Sequence, residues 1–271
     1  MCTVVVSLAP EDPVPLLLVG VRDEFTGRPW QRPARHWSGS DTPGWAPLIG
    51  GLDEQAGGTW LAVYPEQSRV GCVLNGRGQF APPDRRRSRG ELPLRAAAEG
   101  HTALKELYHA PETLARYDPF YLVCADLNPY SSVLLLGWDG VTAGLTELEP
   151  TTHVLTNAGH MYPPGRDNLQ KPPDEKATRF GPRFAARRPS GDPAATIENA
   201  WGDWLALAAG DGLPATKPGA IIVRRELPDG RIYGSTSVTL VALAADGRLR
   251  YDFQPDPQDG PAATWYSVPI G

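Results

Sequence analysis

A layered α/β domain, with mainly antiparallel sheets and helices on their outer faces, is predicted by three observations. Short β-branched and apolar runs recur between turn dipeptides, two stretches with helical spacing interrupt them, and the order is strands, helices, strands, helices, strands. Glycine and proline, 29 each in 271 residues, are abundant but unperiodic and interleaved with apolar runs, which fits many turns and neither collagen nor disorder. This length suits one large domain, residues 1–271, able to bury a sizeable core.

Thr3 to Leu8 and Leu16 to Val21 are apolar runs joined by Ala9-Pro10-Glu11-Asp12-Pro13 and read as an antiparallel hairpin. The second run ends abruptly at Arg22-Asp23-Glu24-Phe25. Such an end either marks the exit to solvent or, because a hairpin returns to the level where it began, sets Arg22 and Asp23 beside residue 2. Residues 26–47 read as an irregular loop whose Trp30, His36, Trp37 and Trp45 fold over a pocket or pack on the sheet. A second hairpin runs from Thr59–Tyr64 to Arg69–Leu74 and closes on Asn75-Gly76. From Leu92 to Tyr117 the spacing predicts one or two helices, with Pro111 breaking or starting one. Phe120–Ala125, Ser132–Trp138 and Val154–Thr156 read as strands, the last closing on Asn157-Ala158-Gly159-His160. A proline-rich loop over 161–175 and a partly helical basic segment from Lys176 to Arg188 follow. Asp192 to Ala209 reads as the best helix, capped by Asp192 with Pro193 in its first turn. Strands are expected over Ala220–Glu226, Arg231–Leu243 and Arg248–Phe253.

Net charge is −5, so no overall field favours nucleic acid or an anionic membrane, and Arg85-Arg86-Arg87-Ser88-Arg89 reads as a solvated loop. Three cysteines without a C-x-x-C pairing argue for a reducing, cytoplasmic setting and against a disulfide framework or zinc site. No apolar run is long enough to cross a bilayer, and the start reads as lacking the basic region and long apolar core expected of a signal peptide. G-x-S-x-G, H-E-x-x-H and P-loop motifs are missing from the sequence, which removes several enzyme classes.

Chemistry concentrates at the start. Cys2 stands directly behind Met1 and directly before a strand. If Met1 is removed, Cys2 carries both a thiol and a free α-amine, a nucleophile and its own base; reference pKa values of about 8.5 and about 7.7–8 leave much of the amine able to accept the thiol proton near neutrality. The bland alternative is a buried strand cysteine, as expected for Cys72 and Cys124. Asparagine beside glycine, as at Asn75 and near Asn157, is ordinarily a turn former. Three strand ends converging on polar residues place Cys2, Asp23, Asn75 and Asn157 in one expected cleft.

Met1-Cys2-Thr3, Arg22-Asp23-Glu24, Arg28-Pro29, Ala56-Gly57-Gly58-Thr59-Trp60-Leu61, Ser88-Arg89-Gly90-Glu91-Leu92, Leu155-Thr156-Asn157 and Tyr233-Gly234-Ser235-Thr236-Ser237 together resemble the NRDE family, also called the transport and Golgi organisation family. The resemblance covers most of the chain. It departs from the family at Val21, where the motif has Asn before Arg-Asp-Glu, and at Leu74-Asn75-Gly76-Arg77, where members commonly have Thr-Asn-Tyr-Arg. The family in turn resembles N-terminal-nucleophile hydrolases of the bile-salt and penicillin amidase type. What this implies is a four-layer αββα sandwich of two mainly antiparallel sheets flanked by helices. It also implies Cys2 as nucleophile, Asp23 bonding its amine, Arg22 nearby, Asn75 and Asn157 as oxyanion donors, and Arg179 or Arg183 as a later site arginine. A linear, non-peptide amide is the substrate class so implied, with no cofactor. Members are also linked to haem trafficking, which implies the alternative of a non-catalytic haem-binding protein, with His36 or His160 as axial ligand and the tryptophans as lining.

Overall fold

The computed structural model describes residues 3–39, 41, 42, 44–163, 174–257 and 264–270. The chain forms two compact units, Met1–Arg28 with Pro150–Gly271, and Pro29–Glu149. Each holds one antiparallel sheet with helices packed on it, so the class is α/β and compatible with the sandwich expected.

The first unit opens with β1 (Thr3–Leu8) and β2 (Leu16–Phe25), paired as the expected hairpin with Thr3 opposite Val21 and Leu8 opposite Leu16. Then the second unit runs as a meander. Its strands are β3 (Trp30–Ala34), β4 (Ile49–Asp53), β5 (Leu61–Tyr64), β6 (Arg69–Asn75), β7 (Phe120–Asp126), β8 (Ser132–Trp138) and β9 (Ala143–Glu147), each bonded to the next. Between β6 and β7 lie α1 (Leu92–Glu99), α2 (His101–Tyr108) and α3 (Pro111–Leu114). Helix α1 lies close on β6 because Gly71 has no side chain: a Cβ there would stand 2.5 Å from the Pro93 carbonyl oxygen and 2.8 Å from the Ala96 Cβ. Leu92, Ala96, Leu104 and Leu107 bury against Leu122, Cys124, Leu134 and Leu136 of β7 and β8. Two of the motifs meet here, since a Cβ on Gly58 would fall 2.4 Å from the Gly90 carbonyl carbon while Thr59 N donates to Gly90 O at 2.9 Å.

The chain returns to the first unit with β10 (Thr152–Thr156), β11 (Gly159–Tyr162), α4 (Glu175–Ala186), α5 (Ile197–Trp201), α6 (Asp203–Ala208), β12 (Arg224–Glu226), β13 (Ile232–Leu243), β14 (Leu249–Pro255) and β15 (Tyr266–Ser267). The sheet order is β11-β10-β1-β2-β13-β14-β15, with β12 paired to β13. Side chains alternate along a strand, and the helices take one set: Val5, Leu17, Val19, Val21, Leu240 and Ala242 pack against Phe180, Phe184, Trp201 and Trp204. Both faces of β1 are buried, which is why its sequence reads as a continuous apolar run.

Several expectations are corrected. Residues 26–47 are not all loop, because Trp30 to Ala34 pairs with β4 as an edge strand, a position that tolerates its Pro33. Trp37 packs on the sheet with Leu48, Ala62, Leu94 and Ala97. The segment 192–209 is two short helices rather than one: Gly202 takes φ 49°, a left-handed conformation that ends α5, and Thr196 rather than Asp192 accepts from the first turn. Leu92 to Tyr117 holds three helices, with Pro111 starting the third. Of Ala220–Glu226 only the last three residues form a strand, and β4, β9, β11 and β15 had no sequence counterpart. Residues 164–173 of the expected proline-rich loop, like Cys2, lie outside the described residues.

Candidate active site at the beginning of strand β1

Thr3 is the first described residue of β1, and it is paired on both sides: with Val21 of β2 and with Thr156 of β10. The residues that follow those partners, Arg22-Asp23 and Asn157, therefore bracket the start of β1. The hairpin apolarity that sets the β1–β2 register, and the two-residue Asn157–Ala158 link between β10 and β11, bring this about.

Asp23 falls on the helix-covered face of the sheet, in line with Val19 and Val21, and its carboxylate is buried. Ser235 of β13, directly opposite it, donates its hydroxyl to Asp23 Oδ1 at 2.6 Å and accepts from Val223 N at 2.9 Å. Arg22 points the other way. Its buried guanidinium donates to Thr236 Oγ1 at 2.8 Å, and that hydroxyl lies 3.3 Å from the Arg22 carbonyl oxygen. Thr236 can do this because β13 shifts register between Ser235 and Ser237, a bulge that sets two residues against Arg22 and re-aims one of them. The Ser235-Thr236-Ser237 stretch is thus the fixture for both charges of the Arg22-Asp23 pair.

A cation completes this end of the sheet, and it is neither of the arginines expected on α4. Lys176 Nζ donates to Thr3 Oγ1 at 3.0 Å and stands 4.0 Å from Asp23 Oδ2. Arg179 is exposed, and Arg183 is exposed and bonded to Asp211. Helix α4 is aimed by its cap, since Asp174 accepts from Ala177 N at 2.9 Å through one oxygen and from Thr156 Oγ1 at 3.0 Å through the other. A lone lysine in a basic segment carries no sequence signature, so Lys176 was not legible; Ser235 and Thr236 were visible only as part of a motif.

The other candidates lie as follows. Asn157 is half-buried in the β10–β11 turn, and Asn75 ends β6 in the second unit. Cys72 and Cys124 are fully buried in β6 and β7, where burial pushes the Cys72 thiol up to about 12 and the Cys124 thiol upward as well, so neither is a thiolate source. His36 Nε2 lies 2.8 Å from Arg32 O; His160 Nε2 lies 3.0 Å from Tyr162 O and 2.9 Å from His153 Nδ1. As they stand, both histidines have Nε2 engaged, so neither presents that atom to a haem iron.

Two histidines give an acid-side expectation. Burial is the first cause lowering His101 below its ordinary value of 6.5, and it likewise lowers His160, with His153 beside it the second cause. Folding favours the neutral form of both, so each charges more readily when the chain unfolds. Their contribution is therefore fully present above about pH 6.5 and is lost as the pH falls below it. The urea midpoint is expected to be lower at pH 5.5 than at pH 7.5, and His101→Gln should reduce that difference; an unchanged difference in the variant refutes the assignment of His101.

Among the described residues no group of three or more His, Cys, Asp or Glu is placed to hold a metal ion, and no helix is long and apolar enough to cross a membrane. No curated protein matches the chain. The model of the family described as Transport and Golgi organisation 2 matches residues 1–186.

Proposed function

The chain belongs to the Transport and Golgi organisation 2 family, and from that premise we propose that the start of β1 is the reacting end of a cysteine N-terminal-nucleophile amidohydrolase acting on a linear amide. The observation that supports this reading is the double pairing of Thr3, which sets Arg22-Asp23 on one side of the start of β1 and Asn157 on the other. Once whatever precedes Cys2 is removed, its α-amine takes the thiol proton and Asp23 holds the amine. The thiolate attacks the amide carbonyl carbon, and the Asn157 amide donates to the oxyanion. Collapse expels the substrate amine, which leaves with the proton from the α-ammonium, and a thioester remains. Water, deprotonated by the α-amine, then releases the acid and restores the thiol. Asn75 belongs to the other unit, and the reading does not depend on it.

The test is intact mass followed by labelling. A mature chain beginning at Cys2, modified at that thiol by an amide-mimicking electrophile and not modified after Cys2→Ala, is the expected result. Retention of Met1 in the native protein sinks the mechanism, because the base is then a peptide nitrogen. Haem binding, read as a Soret band on titration with haem, is the reading that such a result would leave.

A further inference from the structure

We propose that Lys176 is a positioning residue that holds a fixed positive charge against the start of β1 and so lowers the proton affinity of the α-amine and thiol that act there. This rests on the amidohydrolase reading, which needs a base that is largely unprotonated at neutral pH. The proposed mechanism sets the α-amine against the carboxylate of Asp23, and a carboxylate alone favours the protonated, useless ammonium. Lys176 opposes that effect. Its ammonium is anchored by Thr3 Oγ1 at 3.0 Å and stands 4.0 Å from Asp23 Oδ2, beyond hydrogen-bond reach, so it offsets the carboxylate charge without donating to it. The side chains of Lys176 and Asp23 are 15% and 4% exposed, which leaves little water to screen the pair.

The charge is also held in register. Asp174 caps α4 and takes the Thr156 hydroxyl, so the helix start is tied to the β10 residue that pairs with Thr3, two positions before the lysine. The charged groups facing this end are few among the described residues. From β2 come Arg22, held by Thr236 on the opposite face, and Asp23. Glu24 is turned to Phe25 N and to Arg28. From α4 come Asp174 and Lys176; β13 presents the hydroxyls of Ser235, Thr236 and Ser237, and the Tyr233 phenol lies 3.5 Å from the Asp23 carbonyl oxygen. From β10 and β11 come His153 and His160, paired with each other. A cation at this place lowers both pKa values that matter, in the direction that makes base and thiolate available together.

The experiment uses the full chain, with its first residue established by intact mass, and Lys176→Met and Lys176→Arg beside the parent. Two rates are followed against pH at fixed ionic strength: alkylation of Cys2 by iodoacetamide, which follows thiolate, and acetylation of the α-amine by acetic anhydride, which follows free amine. Lys176→Met is expected to move both midpoints up by about one unit, and Lys176→Arg to leave both where the parent has them. Superimposable profiles for the methionine variant overturn the proposal. So does an equal displacement in the arginine variant, which would mark a packing role. If the mass shows Met1 retained, the amidohydrolase reading fails by itself, and the thiol midpoint alone then decides for or against Lys176.

Discussion

Replacing Asp252 with alanine is expected to destabilise the protein by about 3–5 kcal/mol, the range for breaking a buried ion pair by removing one partner. Asp252 is fully buried and answers three groups at once. The Trp201 indole donates to Oδ2 at 2.6 Å, Ser267 donates to Oδ1 at 2.5 Å, and the Arg250 guanidinium bonds to it through both Nε and Nη2. Arg250 in turn donates to the carbonyls of Asp192 and Ala195, which ties the link between α4 and α5 to the sheet. Without the carboxylate a buried guanidinium and an indole N–H lose their acceptor, and desolvating an unanswered charge is what makes the loss large. A double replacement, Arg250→Met with Asp252→Leu, removes both charges and should recover most of the stability lost in the single variant. Urea unfolding followed by fluorescence reads the difference. A loss under about 1 kcal/mol for Asp252→Ala would place the pair with ordinary surface ion pairs and contradict its burial.

That network shows where sequence reading stops. The hairpins of β1 with β2 and of β5 with β6, the strands β7 and β8, and the two buried cysteines were legible, because long apolar runs bounded by turns announce themselves by composition. Strands β3 and β4 were not: β3 has Pro33 within it and β4 has two glycines, and both owe their place to neighbours rather than to propensity. The break at Gly202 was hidden because Trp201 and Trp204 continue the helical spacing across it while the backbone between them turns left-handed. At the candidate site, Asp23 and Asn157 stood out as polar residues ending apolar runs. Lys176, Ser235 and Thr236 did not, since a hydroxyl or a lysine gains its role from the bulge and the helix cap that aim it. Partners fixed by a register or a bulge are tertiary facts, and no local pattern encodes them.

The largest expected effect on function comes from the amine rather than the thiol. A version of the chain in which Cys2 is preceded by residues that cannot be cleaved keeps every side chain of the site but turns the base into a peptide nitrogen, which cannot accept a proton. Amide turnover is expected to fall by about 10²–10⁴-fold, the usual contribution of a general base. Alkylation of Cys2 by iodoacetamide should persist at high pH, where the thiol ionises unaided. Asp23→Asn should lower turnover in the unblocked chain, because the carboxylate proposed to hold the amine is gone while Ser235 keeps an oxygen to bond. Asn157→Ala separates the steps, since alkylation forms no oxyanion: its rate should match the parent, whereas amide turnover should drop by about 10²–10³-fold. Equal turnover in the blocked and unblocked chains would mean that the proton goes elsewhere, and the pairing that sets Asp23 and Asn157 on either side of β1 would then serve the sheet alone.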